Sequence, residues 1–371
     1  MLKKKKVCFF SAEAYSFFSK NNSIIHGGAE LQIYLLSTFL ARYSNFEVSV
    51  IVGNYGQKKI EIHNNVNVYK GFNLPIAENL FHKLIKAIQL FTLLIRINPQ
   101  LVFTTGASAL PGVVSLYKSV FRKKHIHRTA SLQDVDNSWI KQNNITGFIY
   151  SYGLKNADLA LVQNNYHKTL LFQNNKKGAE VLRNVLHIEN QKIEEKNYIL
   201  WIGRFDPIKK PEIFIQLCRD LPMYQFKMVC PYDKHYTKGW QELKSKAEKL
   251  SNLTLIEKIP FHEIQKIFNE ALLFVNTSYS EGFPNTFLQS ALAQTPVVSL
   301  NVNPDGFIDT FDSGVFCHGD YSQMIEAVRF LMENQEERTK KGLNFYNYLA
   351  ENHDIEKVGP QLVNFIHRLL K

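Results

Sequence analysis

Short apolar runs alternate along the chain with segments whose apolar positions recur at helical spacing. In the first half, the runs that predict strands are 7–10, 48–52, 66–69, 101–104, 125–129, 159–163 and 181–182. In the second half they are 198–202, 226–229, 253–256, 272–275, 297–300 and 315–316. This alternation predicts an α/β fold, with helices on both faces of parallel sheets.

The length of 371 residues suits two such domains better than one core. We expect Rossmann-like domains at 1–186 and 187–354, joined through the polar stretch 187–197. Ligands of open α/β sheets bind outside the carboxyl ends of the strands. The loops that follow the predicted strands are therefore the places to look for a site.

Composition fits a globular enzyme, with 45% hydrophobic residues. The four cysteines are scattered without metal-like spacing, which favours a reducing, cytoplasmic setting and no bound metal. The basic N-terminus precedes only a short apolar run and then Glu13, so it predicts a first strand and not a secretory signal. No apolar run reaches the roughly 18 residues of a transmembrane helix.

Charge is unevenly divided. Residues 1–185 hold 23 Lys and Arg against 9 Asp and Glu, a net charge of +14, whereas 186–371 hold 21 against 24, a net charge of −3. A basic half predicts an anionic partner. No nucleic-acid-binding motif is present, which leaves an anionic membrane surface as the candidate.

The segment 79–96 is strongly apolar with basic flanking positions, as interfacial helices are. The basic residues Lys118, Arg122, Lys123, Lys124 and Arg128 would lie near it. Two interpretations stay open. The segment is either a membrane-facing helix or an ordinary core helix beside solvated cations.

The most informative segment is 281–289, which follows a predicted buried strand and precedes a predicted helix. Pro284 suits the first position of that helix, so the N–H groups of Asn285, Thr286 and Phe287 should be unpaired and should form an anion site. Glu281 would accept hydrogen bonds from a polyol beside that anion. An ordinary strand-to-helix turn is the alternative.

A second candidate loop, 203–211, follows the predicted strand 198–202. It carries Gly203, Arg204 and Lys209. Fixed cations aimed at a leaving group that gains negative charge stabilise the transition state more than the ground state. Arg offers a planar fork of donors and Lys a compact point charge. A third loop, with Gly27 and Gly28 after His26, opens a helix, and glycine there permits close approach of a ligand to the backbone.

These three segments together resemble the retaining glycosyltransferases of family 4, over nearly the whole chain. The resemblance implies the GT-B fold, two Rossmann-like domains whose parallel sheets face a central cleft, with the final helix at 355–371 packing back on the first domain. It implies catalytic roles for Arg204, Lys209 and Glu281. The donor-binding set it implies is Gly27, Gly28, Gly203, Arg204, Lys209, Glu281, Gly282, Phe283, Pro284, Asn285, Thr286 and Gln289.

Two positions depart from the family pattern. The family's second glutamate, which reaches the nucleotide ribose, is Gln289 here; an amide still bonds a ribose but brings its own donors. Where many members carry an acceptor-side histidine, this chain has Ser131 or Gln133. Asp134 and Asp136 are the nearest carboxylates, although loop aspartates are commonly caps. His125 and His127 lie inside a strand and are interpreted as structural.

The resemblance implies a retaining glycosyltransferase without cofactor, metal or protein nucleophile. Its co-substrate would be a UDP- or GDP-sugar, and its acceptor a glycan or lipid-linked molecule. A role in bacterial surface polysaccharide or lipopolysaccharide assembly is expected, in the cytoplasm or peripherally on the inner face of the plasma membrane. A nucleotide-sugar epimerase on the same fold and a non-catalytic nucleotide-sugar-binding subunit are the alternatives.

Overall fold

A computed structural model describes residues 4–19, 27–72, 80–189, 194–232, 236–257 and 259–371. The chain forms two compact units. Unit 1 comprises Met1–Val185 with Ile355–Lys371, and unit 2 comprises Leu186–Asp354. The polar stretch 187–197, expected to join two domains, therefore lies at the start of unit 2, and its residues 190–193 fall outside the described part.

Unit 1 is built on an eight-stranded sheet of order β3-β4-β2-β1-β5-β6-β7-β8. Its strands are β1 (Lys5–Phe10), β2 (Phe46–Val52), β3 (Ile60–His63), β4 (Val66–Lys70), β5 (Leu101–Thr105), β6 (Lys124–Arg128), β7 (Leu159–Val162) and β8 (Ala179–Val181). All neighbours pair in parallel except β3 and β4, which are antiparallel. The parallel sheet is the predicted one, but β3 was not predicted.

The missed strand β3 is half of a hairpin. His63 pairs with Val66, and the intervening Asn64 and Asn65 both have positive φ, 49° and 63°. Asparagine tolerates this left-handed conformation, which two-residue hairpin turns require. An Asn-Asn pair between two alternating apolar runs was the signal available in the sequence.

The helices of unit 1 are α1 (Tyr15–Ser19), α2 (Gly28–Leu40), α3 (Leu80–Ile97), α4 (Leu110–Phe121), α5 (Ser138–Gln142), α6 (Asn144–Asn156), α7 (Asn165–Asn175) and the last helix of the chain, α15 (Ile355–Leu369). The crossovers through α3, α4 and α6 run in one direction across the sheet. Since such crossovers are right-handed, these helices share one face. The crossover through α2 runs the other way, and α15 packs against α2.

Unit 2 has an all-parallel sheet of order β11-β10-β9-β12-β13-β14. The strands are β9 (Tyr198–Ile202), β10 (Phe226–Val229), β11 (Leu253–Ile256), β12 (Ala271–Asn276), β13 (Val297–Ser299) and β14 (Gly314–Phe316). The helices are α8 (Pro211–Asp220), α9 (Thr237–Ala247), α10 (Phe261–Asn269), α11 (Asn285–Leu292), α12 (Phe307–Thr310), α13 (Tyr321–Glu333) and α14 (Gln335–Asn352). Both faces of the sheet carry buried apolar clusters.

Candidate functional site

The loop between β9 and α8 has a defined local structure. Asp206 caps a 3₁₀ turn, Pro207–Lys209, by accepting a hydrogen bond from the Ile208 N–H at 2.9 Å. Lys210 then adopts φ +48° and starts α8. At Gly203, a Cβ would lie 2.8 Å from the rigid indole of Trp201, so this position requires glycine for packing. The loop thereby presents Lys209 at a fixed place at the carboxyl end of the sheet.

Glu281 is held in place by side chains at the end of the neighbouring strand, β12. Ser278 Oγ donates to Glu281 Oε1 at 2.7 Å, and Asn276 Nδ2 donates to the same oxygen at 3.3 Å. The Glu281 side chain is only 13% exposed. Two donors to one oxygen leave the other oxygen, Oε2, for a further partner.

That partner is Lys209. Its Nζ lies 2.7 Å from Glu281 Oε2, so the structure joins two of the three predicted catalytic residues in an ion pair. The backbones beneath them are also linked, since Thr277 Oγ1 donates to the Lys209 carbonyl at 2.7 Å and Tyr279 N–H donates to the Ile208 carbonyl at 2.7 Å. The two loops therefore form one rigid edge.

The residues that build this edge were missed by sequence reasoning. Asn276, Thr277 and Ser278 form a polar triplet at the end of an otherwise apolar strand, and that contrast was the available signal. Thr277 Oγ1 additionally accepts from the Trp201 indole N–H at 2.9 Å. A buried indole is thus connected through one hydroxyl to the Lys209 carbonyl.

Arg204 is placed differently. It is exposed at the carboxyl end of β9, and no hydrogen bond or ion pair joins its guanidinium to another residue in the described ranges. The structure therefore brings Lys209 and Glu281 together and leaves Arg204 unengaged on the same loop. Its side chain has the freedom to turn toward an incoming anion.

The start of α11 corrects one expectation. Pro284 is not the first helical residue but the cap before it, and the Phe287 N–H, expected to be unpaired, donates to the Pro284 carbonyl at 3.1 Å. This bond between residues three apart pairs one of the N–H groups that a helix start otherwise leaves without a partner. The N–H group of Phe287 is therefore not available to an anion at this helix.

Two other donor-site candidates have buried side chains. After Gly282, the centroid of the Phe283 ring lies 4.3 Å from the ring centroid of His353 and 5.5 Å from that of Phe307. The Phe283 side chain is therefore part of the core of unit 2. Gln289 is 7% exposed, and its side-chain amide makes no hydrogen bond within the described chain. Its carbonyl accepts from Gln265 Nε2 at 3.0 Å, which fixes this turn of α11.

In unit 1, α2 begins at Gly28, with Gly27 as its extended cap at φ −107°. The atoms nearest to a Cβ on Gly27 would all belong to the Glu30 carboxylate, the end of a flexible side chain. Close approach of a ligand at this glycine stays a prediction. His26 lies outside the described residues.

The acceptor-side candidates serve as local caps. Asp134 accepts from the Ala130 N–H at 2.6 Å and the Ser131 hydroxyl at 2.8 Å, and burial raises its pKa. Asp136 accepts from the N–H and the hydroxyl of Ser138, at 2.8 and 2.6 Å. Both carboxylates have the role that loop aspartates commonly take, and a part in acceptor binding stays a prediction.

His125 and His127 are fully buried, as their structural interpretation predicted. Thr104 Oγ1 lies 2.9 Å from His125 Nε2 and 2.9 Å from His127 Nδ1. Burial lowers the pKa of His127 to about 3 and holds the pKa of His125 well below its usual range. Both rings are therefore neutral and belong to the core of unit 1.

Comparison with known proteins bears on the second unit and on the fold. Residues 183–347, which include both loops of the edge, match the family model described as Glycosyl transferases group 1. No curated protein sequence matches the chain.

Three solved structures illustrate the fold. Sucrose-phosphate synthase from Thermosynechococcus elongatus is 16% identical over 99% of both chains, with a TM-score of 0.81. Anabaena HepE in complex with UDP and glucose is 13% identical over 98% of this chain and 100% of that one, with a TM-score of 0.76. The trehalose-6-phosphate synthase OtsA is 11% identical over 98% of this chain and 99% of that one, with a TM-score of 0.73.

The predicted GT-B fold is thus confirmed. The chain carries a group 1 glycosyltransferase domain in its second unit and is a glycosyltransferase.

Proposed function

We propose that this glycosyltransferase is a retaining enzyme that moves a sugar from a UDP- or GDP-sugar to a glycan or lipid-linked acceptor. The observation that carries the proposal is the edge where Lys209 and Glu281 meet, with Arg204 on the same loop. A cation beside a carboxylate suits a donor whose diphosphate is anionic and whose sugar presents hydroxyl groups. The UDP and glucose named for the Anabaena structure support a donor of this class.

Each residue has a proposed part. Arg204 and Lys209 stabilise the charge that grows on the departing diphosphate, and the N-terminal end of α11 adds the positive end of its helix dipole. Glu281 accepts hydrogen bonds from the sugar hydroxyls, and Gln289 bonds the ribose. Gly27 and Gly28 permit close approach of the diphosphate, and this charge stabilisation operates without a metal ion.

The proposed bond changes are those of a transfer with retention. The bond between the anomeric carbon and the diphosphate oxygen breaks, and the acceptor oxygen bonds to that carbon on the same face of the sugar. The acceptor proton passes to an oxygen of the leaving diphosphate, so no protein nucleophile takes part. The group 1 domain favours this transfer over the epimerase alternative.

We further propose a role in bacterial surface polysaccharide or lipopolysaccharide assembly, at the cytoplasmic face of the plasma membrane. The described residues include no helix long and apolar enough to cross a bilayer. A lipid-linked acceptor would therefore be met at the membrane surface. The basic charge of the first half supports an anionic surface as that meeting place.

The test is incubation with a panel of UDP-, GDP- and ADP-sugars and candidate acceptors, followed by mass spectrometry and NMR of the earliest product. Transfer with the donor's anomeric configuration kept supports the proposal. An inverted product, or turnover of the nucleotide sugar without any acceptor, would contradict it.

A further inference from the structure

One stretch of the unit 1 sequence is almost free of carboxylates. Between residues 80 and 179 there are 13 Lys and Arg but only 3 Asp and no Glu, a net charge of +10. Asp134 and Asp136 are engaged as caps. Asp158 is paired with Lys118 at 3.1 Å and Lys124 at 3.8 Å. Helices α3, α4 and α6 contain no acidic residue at all.

The same three helices expose large apolar side chains. They lie side by side on one face of the sheet, with α4 packed against both α3 and α6. Their outward residues form what we call the apolar face: Leu84, Ile88 and Ile95 of α3, Leu116, Val120 and Phe121 of α4, and Ile145, Phe148 and Tyr152 of α6. Phe148 is 74% exposed and Val120 is 59% exposed.

Single apolar residues on a surface need no explanation, but nine large exposed apolar side chains on three neighbouring helices indicate an interaction site. The exposed cations Lys83, Arg96, Arg122 and Lys155 stand on or beside the same helices. Their long side chains let the charge reach outward while the stems cover apolar surface. Apolar side chains interleaved with cations, and without carboxylates, are the composition of surfaces that bind anionic bilayers.

Charge also decides between occupants of this face. A second copy of the chain would bring together two faces that carry cations and no carboxylates, and their electrostatic repulsion disfavours such a dimer. An anionic bilayer offers both negative headgroups for the cations and an apolar boundary for the exposed side chains. A membrane therefore satisfies both features of the face, whereas self-association satisfies only one.

We propose that the apolar face docks flat on an anionic lipid bilayer, with Phe148, Val120 and Ile88 entering the boundary between headgroups and acyl chains. This inference rests on the proposed function, in which a lipid-linked acceptor lies in the membrane. It assigns contact with that membrane to α3, α4 and α6 together and not to α3 alone. The face lies on the side of the unit 1 sheet opposite to α2, so Gly27 and Gly28 are carried by the other helical layer.

The first test uses the full chain with Phe148→Trp and phosphatidylcholine vesicles, either pure or with roughly a third of the lipid replaced by phosphatidylglycerol. The emission of the new tryptophan is obtained by subtracting the emission of the unsubstituted chain. It should move to shorter wavelength only with the anionic vesicles, and added salt should reduce this shift. Met223→Trp, at an exposed position of unit 2, is the matched control and should not shift. If the emission of Phe148→Trp does not change when anionic vesicles are added, the proposal is overturned.

A second test removes the apolar groups. The combined change Leu116→Ser, Val120→Ser and Phe148→Ser should weaken vesicle binding about tenfold or more, since each inserted side chain contributes transfer free energy. Met223→Ser, Phe330→Ser and Leu343→Ser, at exposed positions of unit 2, should leave it unchanged. Unaltered vesicle binding of the variant with Leu116→Ser, Val120→Ser and Phe148→Ser would overturn the membrane assignment. It would also be overturned if sedimentation showed that the unsubstituted chain is a dimer and that this variant is a monomer.

UDP and GDP binding without vesicles separates this inference from the proposed function. All the variants should bind nucleotide like the unsubstituted chain, because none lies at the Lys209–Glu281 edge. Normal nucleotide binding without vesicle binding would reject only the docking face. Vesicle binding without nucleotide binding or transfer would reject only the proposed donor chemistry.

Discussion

Lys209 Nζ and Glu281 Oε2 lie 2.7 Å apart, so the cation proposed for the diphosphate and the carboxylate proposed for the sugar form an ion pair. The Lys209 side chain is 27% exposed and that of Glu281 is 13% exposed. Ser278 and Asn276 also donate hydrogen bonds to Glu281, so the carboxylate is held by more contacts than the lysine. A bound donor would draw Lys209 toward phosphate and leave Glu281 for the hydroxyl groups of the sugar.

This exchange predicts opposite effects on two ligands. Glu281→Gln should lower turnover strongly, because the carboxylate facing the sugar is lost. The same change should tighten binding of the nucleoside diphosphate alone by about two- to fivefold, because Lys209 no longer has to leave an ion pair of modest strength. Titration calorimetry with UDP and GDP measures the second effect. Weaker binding of both the diphosphate and the nucleotide sugar would show that the pair does not compete with the donor.

Gln289 gives a graded series. Gln289→Ala should weaken binding of the nucleotide sugar by about 1 to 3 kcal/mol, since ribose hydroxyls lose a partner. Gln289→Glu should be tolerated, because a carboxylate gains acceptor capacity where hydroxyl donors lie. The measurement is donor affinity and turnover for both variants. If Gln289→Glu abolishes activity while Glu281→Gln is silent, the two proposed roles are wrong.

The buried histidines predict acid sensitivity of the fold. The unfolded chain takes up protons on His125 and His127 near pH 6.5, whereas the folded chain does so only far below that value. The unfolded state therefore binds more protons as pH falls below 6.5, and the free energy of unfolding should drop by up to about 1.4 kcal/mol per pH unit for each ring. Above pH 6.5 this contribution is fully retained.

Urea unfolding at several pH values, read by circular dichroism, measures this slope. His127→Gln should be less stable at neutral pH, since Gln fits the Thr104 and Tyr150 contacts less well, but its slope below pH 6.5 should be shallower. His262→Gln, at a side chain that is 72% exposed, is the control and should keep the original slope. An unchanged slope in His127→Gln would contradict the buried neutral imidazole.

The parallel strands could be predicted from the sequence because runs such as 198–202 and 272–275 are apolar throughout, as strands buried on both faces are. It also placed Lys209 and Glu281 in loops that follow predicted strands. Their ion pair was beyond reach, because it depends on how Asn276, Ser278 and a 3₁₀ turn orient two side chains. The pairing of Phe287 with Pro284 was missed for a similar reason, since moving the helix start by one residue changes which N–H group is paired.

Loss of the two cations tests the central claim most directly. With the donor found in the nucleotide-sugar panel, turnover of Arg204→Ala and of Lys209→Ala should each fall by about 10²-fold or more, as expected when one charge partner of the transition state is lost. Lys210→Ala, the neighbouring lysine 4.0 Å from Glu212, should retain activity, and circular dichroism should show all three variants folded. Near-normal turnover in both Arg204→Ala and Lys209→Ala would contradict the proposed diphosphate site.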